Sequence, residues 1–284
     1  MSFTVQNYLV ESEARLAGVD SPRLSAELLA AHVLGCSRLA LVVDRNRVFS
    51  DTERAEIELL LKRREAGEPI AYILGEKEFY GLDFQVGPGV LIPRPETEHI
   101  IEEVEQLHSK DKDLHFADLG TGSGILAVTI SHLFPQASCV AVDICQDALK
   151  IASENARMHG VEDRVECMEG DFTKRLFTGE SFDFIVSNPP YVSQVEFEEA
   201  SHEVTAFEPT GALVSGPEGL DHVRQMLPEV VHALRPGGHF FMEIGYKQGD
   251  AVKKIISQHF PQFEDVKVIP DLAGLDRVVF AQKV

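Results

Sequence analysis

Apolar residues recur at helical spacing up to about residue 75 and in short strand-like runs beyond it. Val5, Tyr8, Leu9 and Leu16 mark one face of a first helix. Ser21-Pro22 then offers an N-cap followed by proline at the first helical position, and Leu24, Leu28 and Leu29 carry an inward stripe to a stop at Gly35. Ser50-Asp51-Thr52-Glu53 reads as a capping box, opening a third helix with Ile57, Leu60 and Leu61 buried and Gly67 ending it. Residues 1–75 are therefore expected to form a helical domain. None of these helices carries a reactive cluster, so docking outweighs catalysis there.

From Glu76 to Pro93 the pattern alternates through Phe79–Val86, turns at Gly87-Pro88-Gly89 and continues as Val90-Leu91-Ile92. A β-hairpin linker over 76–93 is expected. Arg94-Pro95-Glu96-Thr97-Glu98 then opens a helix, with acids where the helix dipole favours them. Residues 94–284 alternate between apolar strands and amphipathic helices, ending in two strands over 266–269 and 277–282. That order argues a doubly wound α/β sheet with an antiparallel final strand.

Two stretches bring chemistry into this frame. The strand Leu114–Leu119 runs into Gly120-Thr121-Gly122-Ser123-Gly124 and then an apolar helix. Glycines permit close backbone approach, and amides at the helix start attract an anion. The dinucleotide fingerprint would want glycine where Ile125 stands, and the spacing instead resembles a loop that binds S-adenosylmethionine. Asp143 ends the next strand 23 positions after Gly120, near the ~20-residue offset at which an acid meets ribose hydroxyls. Asp171 and Phe172 follow a third strand, where an adenine amino group and ring would lie; Phe172 equally suits the core.

The second stretch is Asp183–Tyr191, whose buried run Phe184-Ile185-Val186 stops at Asn188-Pro189-Pro190-Tyr191. Neither proline has an N–H, and each biases the residue before it toward extended backbone. Carbonyl oxygens are thus left with few local donors beside the Asn188 amide, whose oxygen also accepts. Such a corner grips an NH2 group, favouring a tetrahedral nitrogen with its lone pair freed, while Tyr191 can stack on a planar substrate.

The chain has 284 residues, 44% of them hydrophobic, enough for a substantial core and two domains. No apolar run approaches the ~20 residues that cross a bilayer, and Met1-Ser2-Phe3-Thr4 lacks signal-peptide character, so a cytoplasmic protein without a membrane partner is expected. Cys36, Cys139, Cys145 and Cys167 have no metal or redox spacing and read as reduced structural thiols; no metal site is expected. Asp plus Glu number 46 against 26 Lys plus Arg, for a net charge of -20. That surface repels phosphate backbones, which argues against direct nucleic-acid binding and suits a basic protein partner.

Taken together, these motifs resemble the release-factor glutamine methyltransferases, the PrmC/HemK family. The resemblance extends over Phe79-Tyr80-Gly81-Leu82, Leu91–Glu98, the Gly120 loop, Asn188–Tyr191, Phe207-Glu208-Pro209, Gly219-Leu220-Asp221, Glu243-Ile244-Gly245 and Leu272–Arg277. It implies a Rossmann-like class I S-adenosylmethionine-dependent methyltransferase domain over 94–284, with residues 1–75 docking the release factor. It further implies methyl transfer, yielding S-adenosylhomocysteine, to the glutamine side-chain nitrogen of the Gly-Gly-Gln motif in peptide chain release factors, a step bearing on translation termination. Gly120, Thr121, Gly122, Ser123, Gly124, Asp143, Asp171, Phe172 and Asn188 would contact the cofactor, and Asn188, Pro189, Pro190 and Tyr191 the glutamine. Some members carry Trp at the position of Phe172, and Tyr is frequent at that of Phe207. A monomer is expected, and the alternative activity is DNA adenine-N6 methylation.

Overall fold

The structure is a computed structural model and describes residues 3–284. Its first helices start from side-chain caps. Thr4 Oγ1 accepts from the Asn7 amide at the head of α1 (Val5–Arg15), and the Ser50–Glu53 capping box opens α4 (Asp51–Glu65) with both reciprocal hydrogen bonds made. α2 (Pro22–Val33) starts differently from the sequence reading: Ser21 lies in the left-handed region at φ 48° and its side chain caps nothing, so Pro22 alone sets the start. Leu24 faces solvent, while Ala26, Leu29 and Ala30 are buried. Two short helices escape the periodicity argument because they are shorter than two turns, α3 (Arg38–Val43) and α5 (Ile70–Leu74).

The chain divides into two compact units. One runs to Glu76 and takes in Ser201–Phe207; the other comprises Lys77–Ala200 and Glu208–Val284. The first unit is built around buried Arg64, which donates to Ser25 Oγ, Asp20 O and Glu68 O and pairs with Glu203. Glu203 lies 139 positions further along the chain, a link that no local pattern announces. Gly67 leaves room for the His202 ring, which a Cβ would meet at 2.9 Å.

β1 (Glu76–Phe79), which from Lys77 on belongs to the second unit, and β2 (Leu82–Gln85) form the hairpin. Its turn is Tyr80-Gly81, with φ of 52° and 76°, and not Gly87-Pro88-Gly89. Two successive positive φ values make a turn whose twist matches that of the strands, whereas Pro88 has no N–H to give a ladder. Val90-Leu91-Ile92 consequently lies outside the strands and runs as loop toward α6 (Glu98–Leu107).

The remaining elements build one seven-stranded sheet: β3 (His115–Leu119), α7 (Ile125–Leu133), β4 (Ser138–Asp143), α8 (Gln146–Met158), β5 (Val165–Glu169), β6 (Phe182–Ser187), α9 (Gln194–Glu199), α10 (His202–Phe207, in the first unit), α11 (Asp221–Ala233), β7 (Leu234–Glu243), α12 (Gly249–His259), β8 (Phe263–Pro270) and β9 (Asp276–Lys283). Spatial order is β5-β4-β3-β6-β7-β9-β8, parallel from β5 to β7, with β9 antiparallel to both its neighbours. Side chains alternate across the sheet. Phe241 and Phe280 join α6 and α7 on one face, while Phe240, Met242 and Val279 join α11 and α12 on the other. The strand order reverses between β3 and β6, so the crevice beyond their carboxyl ends is where ligands of this architecture bind. Among the described residues no helix is long and apolar enough to cross a membrane.

Candidate active site

The glycine loop leaves β3 with Gly120, Gly122 and Gly124 all at positive φ, where a side chain is strained. Two acids hold its shape. Asp118 is buried, and its Oδ2 accepts from Thr121 Oγ1 at 2.6 Å and the Ala127 amide at 3.1 Å. Asp143 accepts from the Gly122 amide through Oδ2 and from Cys145 N through Oδ1, both at 2.9 Å. The Gly122 amide, one of the donors expected to meet an anion, is therefore already engaged. Gly124 serves packing: a Cβ there would lie 3.1 Å from that of Ala152 in α8.

Asp118 was not singled out by sequence reasoning, yet its Oδ1 is buried without a hydrogen-bond partner. Burial pushes its carboxyl up to about 7, against hydrogen bonds from Thr121 and Ala127 that pull it down. The signal in the sequence was an acid following the apolar pair Phe116-Ala117 inside a strand, two residues before a glycine. Asp171 behaves oppositely: Lys174 first, then Thr173, hold its carboxyl down at about 2, and it caps its own turn. The ring of Phe172 stands 5.9 Å from that of His222, and a Cβ on Gly120 would meet it at 3.2 Å.

A cavity of about 380 Å³ gathers these parts within the second unit. Its wall includes Asp118, Gly120 to Ser123, Asp143, Asp171, Phe172, Asn188 and Pro190, so most of the residues drawn from four separate strand ends meet in one space. Leu91, Pro93 and Arg94 close another side. Within that segment Ile92 and Arg94 are held by Glu208, which is buried and accepts from the Ile92 amide and from Arg94 Nη2. The sequence offered Glu208 only as part of a family motif; the structure gives it this physical task.

At the Asn188 corner, Nδ2 donates to Thr97 Oγ1 at 3.0 Å, leaving Oδ1 buried and unpartnered. Thr97 Oγ1 donates in turn to Glu243 Oε2 at 2.6 Å, and Tyr191 OH donates to Glu243 Oε1 at 2.9 Å. Burial raises both the Tyr191 hydroxyl and the Glu243 carboxyl above their ordinary ranges. Pro189 is buried, and neither it nor Tyr191 nor Gly124 belongs to the cavity wall. A buried acceptor without a donor costs about 1–3 kcal/mol, and two such oxygens, Asp118 Oδ1 and Asn188 Oδ1, border one cavity. The arrangement suits a ligand that brings a cationic N–H group to one and a neutral NH2 to the other.

Comparison with known proteins gives this architecture a family. A PrmC N-terminal domain matches residues 8–75 and a methyltransferase small domain matches residues 100–216. A release factor glutamine methyltransferase from Nitratidesulfovibrio vulgaris is 44% identical across 99% of this chain and 95% of its own length. This chain belongs to the release factor glutamine methyltransferase family. As a methyltransferase it has further relatives of that description in Koribacter versatilis, 43% identical over 94% of the chain and 93% of that protein, and in Caulobacter vibrioides, 35% identical over 100% and 98%. A solved methyltransferase from Pyrococcus furiosus shares its fold with a TM-score of 0.53, covering 80% of this chain and 97% of that one at 18% identity.

Proposed function

We propose that this methyltransferase transfers a methyl group from S-adenosylmethionine to the side-chain nitrogen of the glutamine in the Gly-Gly-Gln motif of peptide chain release factors. The single observation that carries this reading is the unpartnered Asn188 Oδ1 at the wall of the cavity. It accepts one N–H of the glutamine carboxamide; we propose that the Pro189 carbonyl, although Pro189 does not line the cavity, accepts the other. Gripping both hydrogens favours a tetrahedral nitrogen whose lone pair is no longer delocalised.

The residues present fit the cofactor. Asp118 Oδ1 suits its ammonium group, Asp143 its ribose hydroxyls and Phe172 its adenine ring, above the Gly120 to Gly124 loop. When bound, that group supplies an electrophilic methyl on a sulfonium. Orientation and electrostatic preorganisation by Asn188, Pro189, Pro190 and Tyr191 then account for the rate, and no strong base is needed because an amide nitrogen bearing an extra proton is very acidic. Residues 1–75 dock the release factor, and a basic surface on that partner would suit a chain of net charge -20. The enzyme acts in the cytoplasm as a monomer without contacting nucleic acid.

The test is incubation with S-adenosylmethionine carrying a labelled methyl group, a release factor, its Gly-Gly-Ala variant and duplex DNA. Label on the native release factor alone is expected. Label on adenine would replace this reading with DNA methylation, and equal label on the Gly-Gly-Ala variant would move the acceptor elsewhere.

A further inference from the structure

We propose that Glu243 is a positioning residue that fixes which way the Asn188 carboxamide faces, acting through the hydroxyl of Thr97. A threonine hydroxyl has one hydrogen to give. At 2.6 Å from Glu243 Oε2 that hydrogen is committed to the carboxylate, so toward Asn188 the same oxygen can only accept. Asn188 must therefore present Nδ2, which it does at 3.0 Å, and its Oδ1 is left turned away from Thr97. With the amide reversed, Oδ1 and Thr97 Oγ1 would face each other at that distance with no hydrogen between them. An ionised Glu243 thus converts a two-way amide into a one-way acceptor.

The same carboxylate fixes the other end of the corner. Its Oε1 accepts from Tyr191 OH at 2.9 Å, and the Tyr191 carbonyl accepts from Gln248 Nε2 at 2.8 Å. Glu243 lies 146 positions from Thr97 and 52 from Tyr191, joining the end of β7 to the turn before α6 and the loop after β6. This role rests on the proposed acceptance of the glutamine NH2 by Asn188 Oδ1.

Protonation of Glu243 would reverse the chain. Its own hydrogen, on Oε2, would then point at Thr97 Oγ1, freeing the Thr97 hydrogen to face Asn188 and letting the amide rotate. The charged groups around it are Glu96 on the turn beside Thr97, which raises its carboxyl as burial does, and Arg277 of β9, which lowers it; Arg94 and Arg277 act likewise on Tyr191. Methyl transfer should consequently fall on the acid side at a pH above that of an ordinary glutamate.

The test compares Glu243→Gln, Thr97→Val, Thr97→Ser and the Glu243→Gln/Thr97→Val double variant. Turnover of a release factor is measured against pH, and S-adenosylmethionine affinity by calorimetry. We expect kcat to fall at least about tenfold in Glu243→Gln and Thr97→Val, with cofactor affinity within about twofold of native. Thr97→Ser keeps the hydroxyl and should stay within about threefold of native, and the double variant should be no worse than either single change, since both cut one chain. Near-native kcat in Thr97→Val, losses that multiply in the double variant, or equal damage from Thr97→Ser would overturn the inference. If Glu243→Gln does not fold, the Thr97 pair decides alone. A native enzyme that labels no release factor would instead refute the proposed reaction.

Discussion

Leu119 and Ser187 are partners in register on adjacent parallel strands, and the Ser187 hydroxyl donates to the Leu119 carbonyl at 2.6 Å. Gly120 and Asn188 are the next residues on those strands. The hydrogen bond thereby sets the glycine loop and the acceptor corner side by side at the carboxyl ends of two central strands, at the point where the strand order reverses. A methyl donor on the first and an amide on the second would be neighbours before any loop moves.

Replacing Asn188 with Ala removes the unpartnered oxygen without touching Asp118, Asp143 or Phe172. Turnover should fall by about a hundredfold or more while cofactor affinity changes less than about threefold. Single-turnover methylation and calorimetry read the two separately, and equal losses in both would refute the division of labour.

Phe172→Ala should do the reverse. Loss of a stacking ring is worth about 0.5–1.5 kcal/mol, so the KM for S-adenosylmethionine should rise roughly threefold to tenfold with kcat little changed. An unchanged KM would leave the ring as core packing only.

Gly219 has φ 73°, and a Cβ there would fall 2.1 Å from the Tyr191 carbonyl oxygen and 2.6 Å from Gln248 Nε2. Gly219→Ala should therefore cost about 2–3 kcal/mol of stability, read as a lower urea midpoint at unchanged slope. Gly179→Ala meets nothing within 4 Å and should change it by less than about 0.5 kcal/mol.

Asp118 gives two pH dependences. Because its carboxyl is pushed up to about 7 from 3.8, the folded protein holds that proton more tightly than the unfolded chain. This contribution to ligand-free stability is fully present below 3.8 and is lost as pH rises to about 7. Binding a cation at Oδ1 needs the ionised acid, so cofactor affinity should climb over the same interval and level off above it. Calorimetry in buffers of different ionisation enthalpy should show proton release below pH 7, and Asp118→Asn should abolish that release.

The sequence by itself determined the local pieces: helix starts at Ser50 and Pro22, the strand ends at Leu119 and Ser187, the three glycines that let β3 turn into α7, and the prolines that stop the chain at Asn188. Each follows from steric and hydrogen-bonding rules acting over a few residues, which is why it was legible. The same rules placed the hairpin turn at Gly87-Pro88-Gly89, because proline and glycine mark turns locally while only the paired strands show that Tyr80-Gly81 takes it. Tertiary structure alone decided that Glu208 braces Ile92 and Arg94, that Glu203 reaches Arg64, and that Glu243, Thr97 and Asn188 form one hydrogen-bonded line. Those partners lie 91 to 146 positions apart. Burial removes the water that would otherwise satisfy each of them, so which acid meets which donor depends on the sheet order that brings the strand ends together.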